Sequence, residues 1–495
     1  MKRLKTRSLL TSIPLALFLA PFLGGCTLGP DFVRPSLTPS QTSSQTIPAE
    51  FREAAGWKLA APADTVSHAP WWEGYGDAML NDLVKRVEIA NQNVAQATAQ
   101  YRAAAALLAG SRAAWFPGLG SSFAVTRSQG ETGASSTTFN PARTLDRLAL
   151  NSSWEIDLWG RIGRSVEAAQ SSLDASAADL AAARLSMQAT LTQAYLQLRI
   201  NDAQQRLLQR AITAQRRSYQ ITYNRREAGI VTSADLAQAE TQLKTTEAQA
   251  IDLGVQRAQL EHLIAQLIGE IPGQFRIAAV DSVPALPTQP VGIPSALLEG
   301  RPDIAAAERR VAAANAQIGV AQAAFFPNLT LSASGGYQNA GLTDLITWPH
   351  RFWSLGPAIA LSLFDGGARS AAKEQAIANY DRTVAGYRQS VLNAFQEVED
   401  NLAALRILEE ESAVQAQARR AANEFERLTN NQYMAGTVSF LNVATAQTAS
   451  LSAERTSLDL LGRQLTASVA LNKALGGNSW TLAGETLVRQ QKAAP

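Results

Sequence analysis

The 495-residue sequence holds one cysteine, three histidines and aromatic residues at only 7%. A lone thiol cannot form an internal disulfide. His68, His262 and His350 are far apart, and none stands in a metal-ligand spacing. No glycine-rich phosphate loop ending in Lys-Ser or Lys-Thr is present. Acid pairs such as Glu397 with Glu399 fall in a helical pattern, where they read as solvated or in helix contacts. Catalysis therefore finds no support. Charge of one sign is also missing: 44 basic residues meet 42 acidic ones, which argues against a nucleic-acid binder. After the first 25 residues no apolar run is long enough for a transmembrane helix. If the chain spans a membrane, it must do so as a β-barrel.

The N-terminus carries more. Lys2, Arg3, Lys5 and Arg7 precede an apolar run from Leu9 to Leu23, the pattern of a secretory signal. Leu23-Gly24-Gly25-Cys26 closes that run and resembles the lipobox of bacterial lipoproteins. In that resemblance Cys26 becomes the first residue and carries diacylglycerol and a fatty acyl (palmitoyl) group. Thr27 follows, where aspartate would direct retention at the inner membrane, so the pattern suits the outer membrane. One lipid anchor holds a protein weakly, so a second membrane attachment is expected.

Alanine, glutamine, leucine and serine dominate the middle of the chain, the composition of long helices. Pro30, Pro35, Pro39, Pro48, Pro62 and Pro70 forbid a long helix near the N-terminus. A second cluster at Pro272, Pro284, Pro287, Pro290 and Pro294 marks a linker. Between them the sequence repeats itself. Ala113-Ala114-Trp115-Phe116-Pro117-Gly118-Leu119 matches Ala323-Ala324-Phe325-Phe326-Pro327-Asn328-Leu329. Gly229, Asp235 and Ala239 match Gly436, Asn442 and Ala446, and Leu267 with Gly269 matches Leu475 with Gly477. The expected organisation is a signal peptide at 1–25, a lipid-anchored extended tether at 26–70, repeat one at 71–270, a linker at 271–294, repeat two at 295–480 and a tail at 481–495.

Each repeat reads helix, strand, strand, helix, helix. The first helices are expected near 77–115 and 303–325. Very long ones follow near 162–228 and 367–433, about 100 Å each at 1.5 Å per residue. The last are expected near 235–268 and 440–475. Leu173, Leu180, Met187 and Ala194 form a seven-residue row, with Ala177, Leu191 and Leu198 on its partner row, where Arg184 is an exception. That spacing fits coiled-coil packing and equally an ordinary helical bundle.

Four segments alternate with period two. They run through Leu119, Phe123 and Val125; Leu148, Leu150, Trp154, Ile156 and Leu158; Leu329, Leu331 and Ala333; and Leu355, Pro357, Ile359, Leu361 and Leu363. Small or polar residues fill the positions between. Each segment is about ten residues, the length of a tilted transmembrane strand; a half-buried soluble sheet would alternate in the same way, and the lipobox favours the membrane reading. Trp348, Phe352 and Trp353 are expected just before the fourth strand, as an aromatic girdle. Four strands cannot close a barrel, and open edges are not tolerated in lipid, so several chains must contribute.

The motifs carry a resemblance. Arg301-Pro302-Asp303-Ile304, Ala307-Glu308, Ala314 through Ala321 and Phe325-Phe326-Pro327 resemble the signature of outer-membrane efflux lipoproteins, the TolC-like outer-membrane factor family in its NodT or OprM-like branch. Gly29-Pro30-Asp31-Phe32, Trp71-Trp72 with Asp77, Trp154 through Arg161, Phe364-Asp365-Gly366-Gly367, Phe395 through Glu399 and Lys473 through Gly477 with Trp480 also fit. Ser362 departs from the proline the family commonly places there. The resemblance implies a mainly α chain with membrane β, as a homotrimer with a twelve-stranded β-barrel in outer-membrane lipid and a twelve-helix periplasmic α-barrel. It implies partnership with a periplasmic adaptor (membrane fusion) protein and an inner-membrane resistance-nodulation-division transporter, which supplies the energy. The duct is then a passive exit for drugs and other small toxic compounds. One alternative is the outer channel of a protein-secretion system, which shares this architecture; another is a structural envelope lipoprotein without transport, against which the alternating strand faces count.

Gly229 and Gly436 are expected at the periplasmic hairpin tips, where glycine permits a tight turn. By the resemblance, constriction positions fall at Leu441, Asn442 and Thr445; the family's acids are absent there, and Val438 stands where an arginine would pair with Asp235. The expected gate closes by apolar contact and hydrogen bonds, because narrow apolar constrictions block flow by dewetting. Asp235 follows Thr232 and Ser233, a helix start that favours an acid, and its simpler reading is a cap.

Overall fold

The computed structural model describes residues 27–36, 70–129, 142–287 and 300–477. The signal segment, Cys26, most of the first proline-rich stretch, Pro290, Pro294, Trp480 and the tail lie outside them. The chain divides into two compact units. One comprises Met1–Pro35, Tyr101–Ala175 and Ala307–Tyr387; the other comprises Ser36–Gln100, Ser176–Ala306 and Arg388–Pro495.

Among the described residues, α-helices and strands follow in the order α1 (Ala78–Ala90), α2 (Gln92–Ala113), β1 (Gly118–Ser128), β2 (Arg143–Ile156), α3 (Arg161–Glu227), α4 (Ser233–Leu267), α5 (Pro302–Ala323), β3 (Asn328–Asn339), β4 (Arg351–Ala360), α6 (Ala368–Met434) and α7 (Phe440–Ala474). The two long helices have 67 residues each, and α4 and α7 have 35 each. The first helix of repeat one differs from expectation, because it is broken at Asn91. That residue is extended (φ −68°, ψ 125°) and buried. Its Oδ1 accepts from the backbone of Asn93 and Val94 at 2.9 and 3.2 Å, and its Nδ2 donates to Leu267 O at 2.7 Å. A short amide side chain competes with the helix for backbone groups and here starts a new one.

In the first unit the strands form one antiparallel sheet in the order β1-β2-β3-β4. The register turns the alternation into two surfaces. Phe123 faces Leu148, Leu148 faces Tyr337, Trp154 faces Leu331, Ala333 faces Leu355 and Leu329 faces Ile359, all on one side. Ala124 faces Arg147, Asn151 faces Ser334 and Ser332 faces Gly356 on the other. Phe352 and Trp353 lie within β4, whereas Trp348 sits in the short turn before it. Leu158, Leu361 and Leu363 fall beyond the strands. The outer edges of β1 and β4 pair with no strand among the described residues.

The second unit is built around α1. Leu80, Leu83, Val84 and Val87 pack on Leu191, Tyr195 and Leu198 of α3, Ile264 of α4, and Leu465 and Val469 of α7. Each such side chain contributes about 1.5–3 kcal/mol by leaving water. Asp77 caps α1 by accepting from Met79 N at 2.9 Å and Leu80 N at 3.2 Å.

Candidate channel surfaces and hairpin tips

The junctions between strands and long helices are built from the family-like motifs. Asp157 accepts from Ile162 N and Gly163 N at 3.1 and 2.7 Å, so it holds the first turn of α3. An acid there suits the partial positive charge of a helix start. This bond draws the chain out of β2 before Leu158. Arg161 forks onto Glu155 at 2.9 and 2.6 Å. At the start of α6, Asp365 likewise accepts from Gly367 N at 3.0 Å, and Arg369 reaches back to Ser362 O at 2.7 Å.

A short N-terminal strap seats against the same region of the first unit. Leu28 N donates to Trp159 O at 3.2 Å, and Asn315 Nδ2 donates to Pro30 O at 2.8 Å. Arg164, itself buried, donates to Leu28 O at 3.1 Å, Asp31 at 2.9 Å and Glu167 at 2.8 Å. Burial opposes its charge, but the bonds to Asp31 and Glu167 outweigh burial and hold its pKa above the ordinary arginine value. Gly319 leaves room for the strap, since a Cβ there would crowd Leu28 O at 2.8 Å.

Arg301 explains the Arg-Pro-Asp motif within the second unit. Its guanidinium forks onto Asp303 at 3.0 and 2.7 Å and donates to Glu397 at 2.8 Å and to Ala474 O at 2.9 Å. The motif therefore fastens the start of α5 to α6 and to the end of α7.

The hairpin tips share one backbone device. Gly229 and Gly436 have φ of +73° and +78°. Ile230 N donates to Arg225 O at 2.8 Å and Thr437 N donates to Gln432 O at 3.0 Å, so each long helix ends in a Schellman turn. The tips differ at the next helix. Thr232 Oγ1 accepts from Asp235 N at 3.2 Å, and Asp235 Oδ2 accepts from Thr232 N at 3.0 Å, a reciprocal capping box. In the second tip Ser439 makes no side-chain cap, and Asn442 instead donates its backbone N–H to Ser439 O at 3.2 Å.

The two tips meet largely through residues that the sequence alone did not single out. Phe440, Val443 and Ala444 of α7 cluster with Tyr433 and Ala239, and Val438 packs at the margin. Arg225 donates to Tyr433 O at 3.0 Å and Met434 O at 3.2 Å, and lies 4.5 Å from the Tyr433 ring centre. Thr222 Oγ1 and Tyr433 Oη are 2.9 Å apart. Leu441, Asn442 and Thr445 lie on the opposite, exposed side of α7; Leu441 is 59% exposed and Thr445 Oγ1 donates to Leu441 O at 2.9 Å.

Among the described residues no group of three or more His, Cys, Asp or Glu could hold a metal ion. No described helix is long and apolar enough to cross a membrane.

The family model described as outer membrane efflux protein matches residues 83–270 and again 293–477. The toluene efflux pump outer membrane protein TtgC of Pseudomonas putida is 29% identical over 494 residues, covering 97% of each chain. Nodulation protein T of Rhizobium leguminosarum bv. trifolii is 31% identical over 89% of this chain and 92% of its own. The solved structure of the outer-membrane channel OprN superposes with a TM-score of 0.83 at 30% identity, over 92% of this chain and 99% of that one. With its duplicated match, its four-stranded sheet and its long hairpins, the chain belongs to the outer membrane efflux protein family and is an outer-membrane channel component of an efflux pump.

Proposed function

We propose that the chain is the passive exit duct of a tripartite efflux system, closed as a homotrimer in which three four-stranded sheets complete a twelve-stranded barrel. The observation that carries this is the sheet itself. One face is mostly apolar, the other mostly small or polar, and both outer edges lack a partner strand among the described residues. Lipid tolerates no open edge, so neighbouring copies must supply the missing hydrogen bonds. The apolar face then meets lipid and the small polar face lines water. The paired hairpins α3/α4 and α6/α7 supply the periplasmic tunnel, twelve helices in the trimer.

Energy and choice of cargo reside in the partners, a periplasmic adaptor and an inner-membrane resistance-nodulation-division transporter. Small toxic compounds such as drugs and solvents are the cargo class that fits. Residues 1–25 are removed as a signal peptide, and acylated Cys26 anchors the tether in the outer membrane. The strap at 27–34, held by Arg164 and Asn315, fixes where that anchor enters. Leu441, with Asn442 and Thr445, narrows the resting tunnel entrance by apolar contact.

Deleting the gene should raise intracellular drug accumulation and leave exported proteins at their normal level. The reverse pattern would identify a protein-secretion channel instead. For the gate, Leu441→Ser trimers in planar bilayers should conduct more at rest than the parent; equal resting conductance would remove Leu441 from the gate.

A further inference from the structure

The small polar face of the sheet carries few charges, and they are unevenly placed. Its side chains come from the even positions of β1, β3 and β4 and the odd positions of β2, as the register requires. Among these residues only Arg143, Arg147 and Glu155 are charged. Glu155 stands at the end where α3 begins and is neutralised by its fork onto Arg161. Arg143 and Arg147 stand toward the opposite end, the end that opens to the cell exterior, and both are exposed. The nearby acid Asp146 belongs to the apolar face, opposite Val125 and Asn339.

Arg147 is also held in place. Its guanidinium lies 4.4 Å from the centre of the Phe352 ring. Phe352 belongs to β4 and is paired with Gly336 of β3, so β3 lies between the two partners. Contact across an intervening strand is possible because Gly336 has no side chain. An aromatic face attracts a guanidinium and leaves its N–H groups pointing outward for an anion.

We propose that Arg147, positioned by Phe352 over Gly336, and Arg143 make the outer end of the lumen an anion-collecting zone. It favours passage of cargo bearing carboxylate, sulfonate or phosphate groups over cationic cargo. A single-sign charge on the wall of a narrow water-filled passage raises the local concentration of the opposite ion. Three copies around one axis multiply the effect. This inference rests on the reading that the small polar face lines water.

The test places a probe beside Arg147. Ala124 is directly opposite Arg147 in the register and Val125 is on the other face. Ala124→Cys in intact cells is treated with an anionic and a cationic methanethiosulfonate reagent, with rates normalised to a free thiol and the parent chain as blank. The anionic reagent should react about tenfold faster. Adding R143Q and R147Q should bring the ratio to unity. F352A, which keeps both charges, should lower it by about twofold as Arg147 loses its support. A ratio of unity or below in Ala124→Cys, or a ratio unmoved by the double arginine variant, overturns the proposal. Val125→Cys reactive while Ala124→Cys is silent overturns the assignment of the faces, and the proposal with it. Trimer on a gel is checked for each variant, and Ser122→Cys, on the same face, replaces Ala124→Cys if that variant does not assemble.

Discussion

Arg225 at the end of α3 caps the end of α6 at Tyr433: two of its N–H groups meet the Tyr433 and Met434 carbonyls at 3.0 and 3.2 Å, and its guanidinium lies over the Tyr433 ring. The last carbonyls of a helix have no partner within it and carry partial negative charge, so a guanidinium there satisfies both needs. One hairpin thereby closes the helix end of the other. Arg225→Ala should destabilise this contact by about 1 kcal/mol, discounted for its partial exposure. Arg225→Lys should recover only part of it, since a single ammonium cannot serve two carbonyls and a ring together. Differential scanning of purified trimers, with resting conductance beside it, checks the ordering parent, Lys, Ala.

Two adjacent glycines in β3 should respond differently to alanine. A Cβ on Gly336 would overlap the Leu148 carbonyl oxygen, whereas on Gly335 it would meet nothing closer than the Phe352 carbonyl oxygen at 3.6 Å. Gly336→Ala should therefore sharply reduce outer-membrane trimer on a native gel, and Gly335→Ala should leave it near the parent level.

Tyr75 gives an alkaline signature. Burial pushes its phenol up to about 12 from the ordinary value of 10.0, although its partners Ser468 and Asn472 act the other way. A folded-state pKa above the unfolded one means full stability below about pH 10 and loss as pH rises toward 12. The loss is about 2–3 kcal/mol across that window. Tyr75→Phe should cost about 1 kcal/mol at neutral pH, through the lost 2.6 Å bond to Ser468, and should flatten the alkaline decline. Denaturant midpoints at pH 8 and pH 11 measure both effects.

Asn91→Ala removes an N-cap and leaves Leu267 O without its donor. The expected cost is about 1–3 kcal/mol. Asn91→Asp keeps the cap but turns a carboxylate toward that carbonyl, so it should fall below the parent as well. Midpoints of chemical unfolding decide both.

Much of this architecture is legible in the residues because its periods are simple. Period-two alternation of Leu148, Leu150, Trp154 and Ile156 survives intact in the register. Glycines at 229 and 436 punctuate helices too long to be missed. Where local side-chain bonds compete with the pattern, the reading fails. Asn91 sits in an Asn-Gln-Asn run that looks like polar helix surface, yet its amide breaks the helix. Leu158 continues the alternation, yet Asp157 has already turned the chain toward α3. Phe352 and Trp353 read as preceding a strand that already includes them, because Phe352 falls on the small polar face beside Gly336 and breaks the period-two alternation. The tip contact of Arg225 with Tyr433 joins positions 208 residues apart, and no local pattern encodes such a pair.

The two open edges of the sheet also set an order of events. In a single chain the outer edges of β1 and β4 leave rows of peptide groups with no partner strand among the described residues. In water those rows are templates for aggregation. In hydrocarbon each exposed group would cost several kcal/mol. A lone chain is thus unsuited to either side of the interface. Under the proposed trimeric barrel, strand pairing between copies accompanies or precedes entry into the membrane. Assembly then becomes a step of at least second order in chain concentration, so weak expression should deplete finished channels more than in proportion.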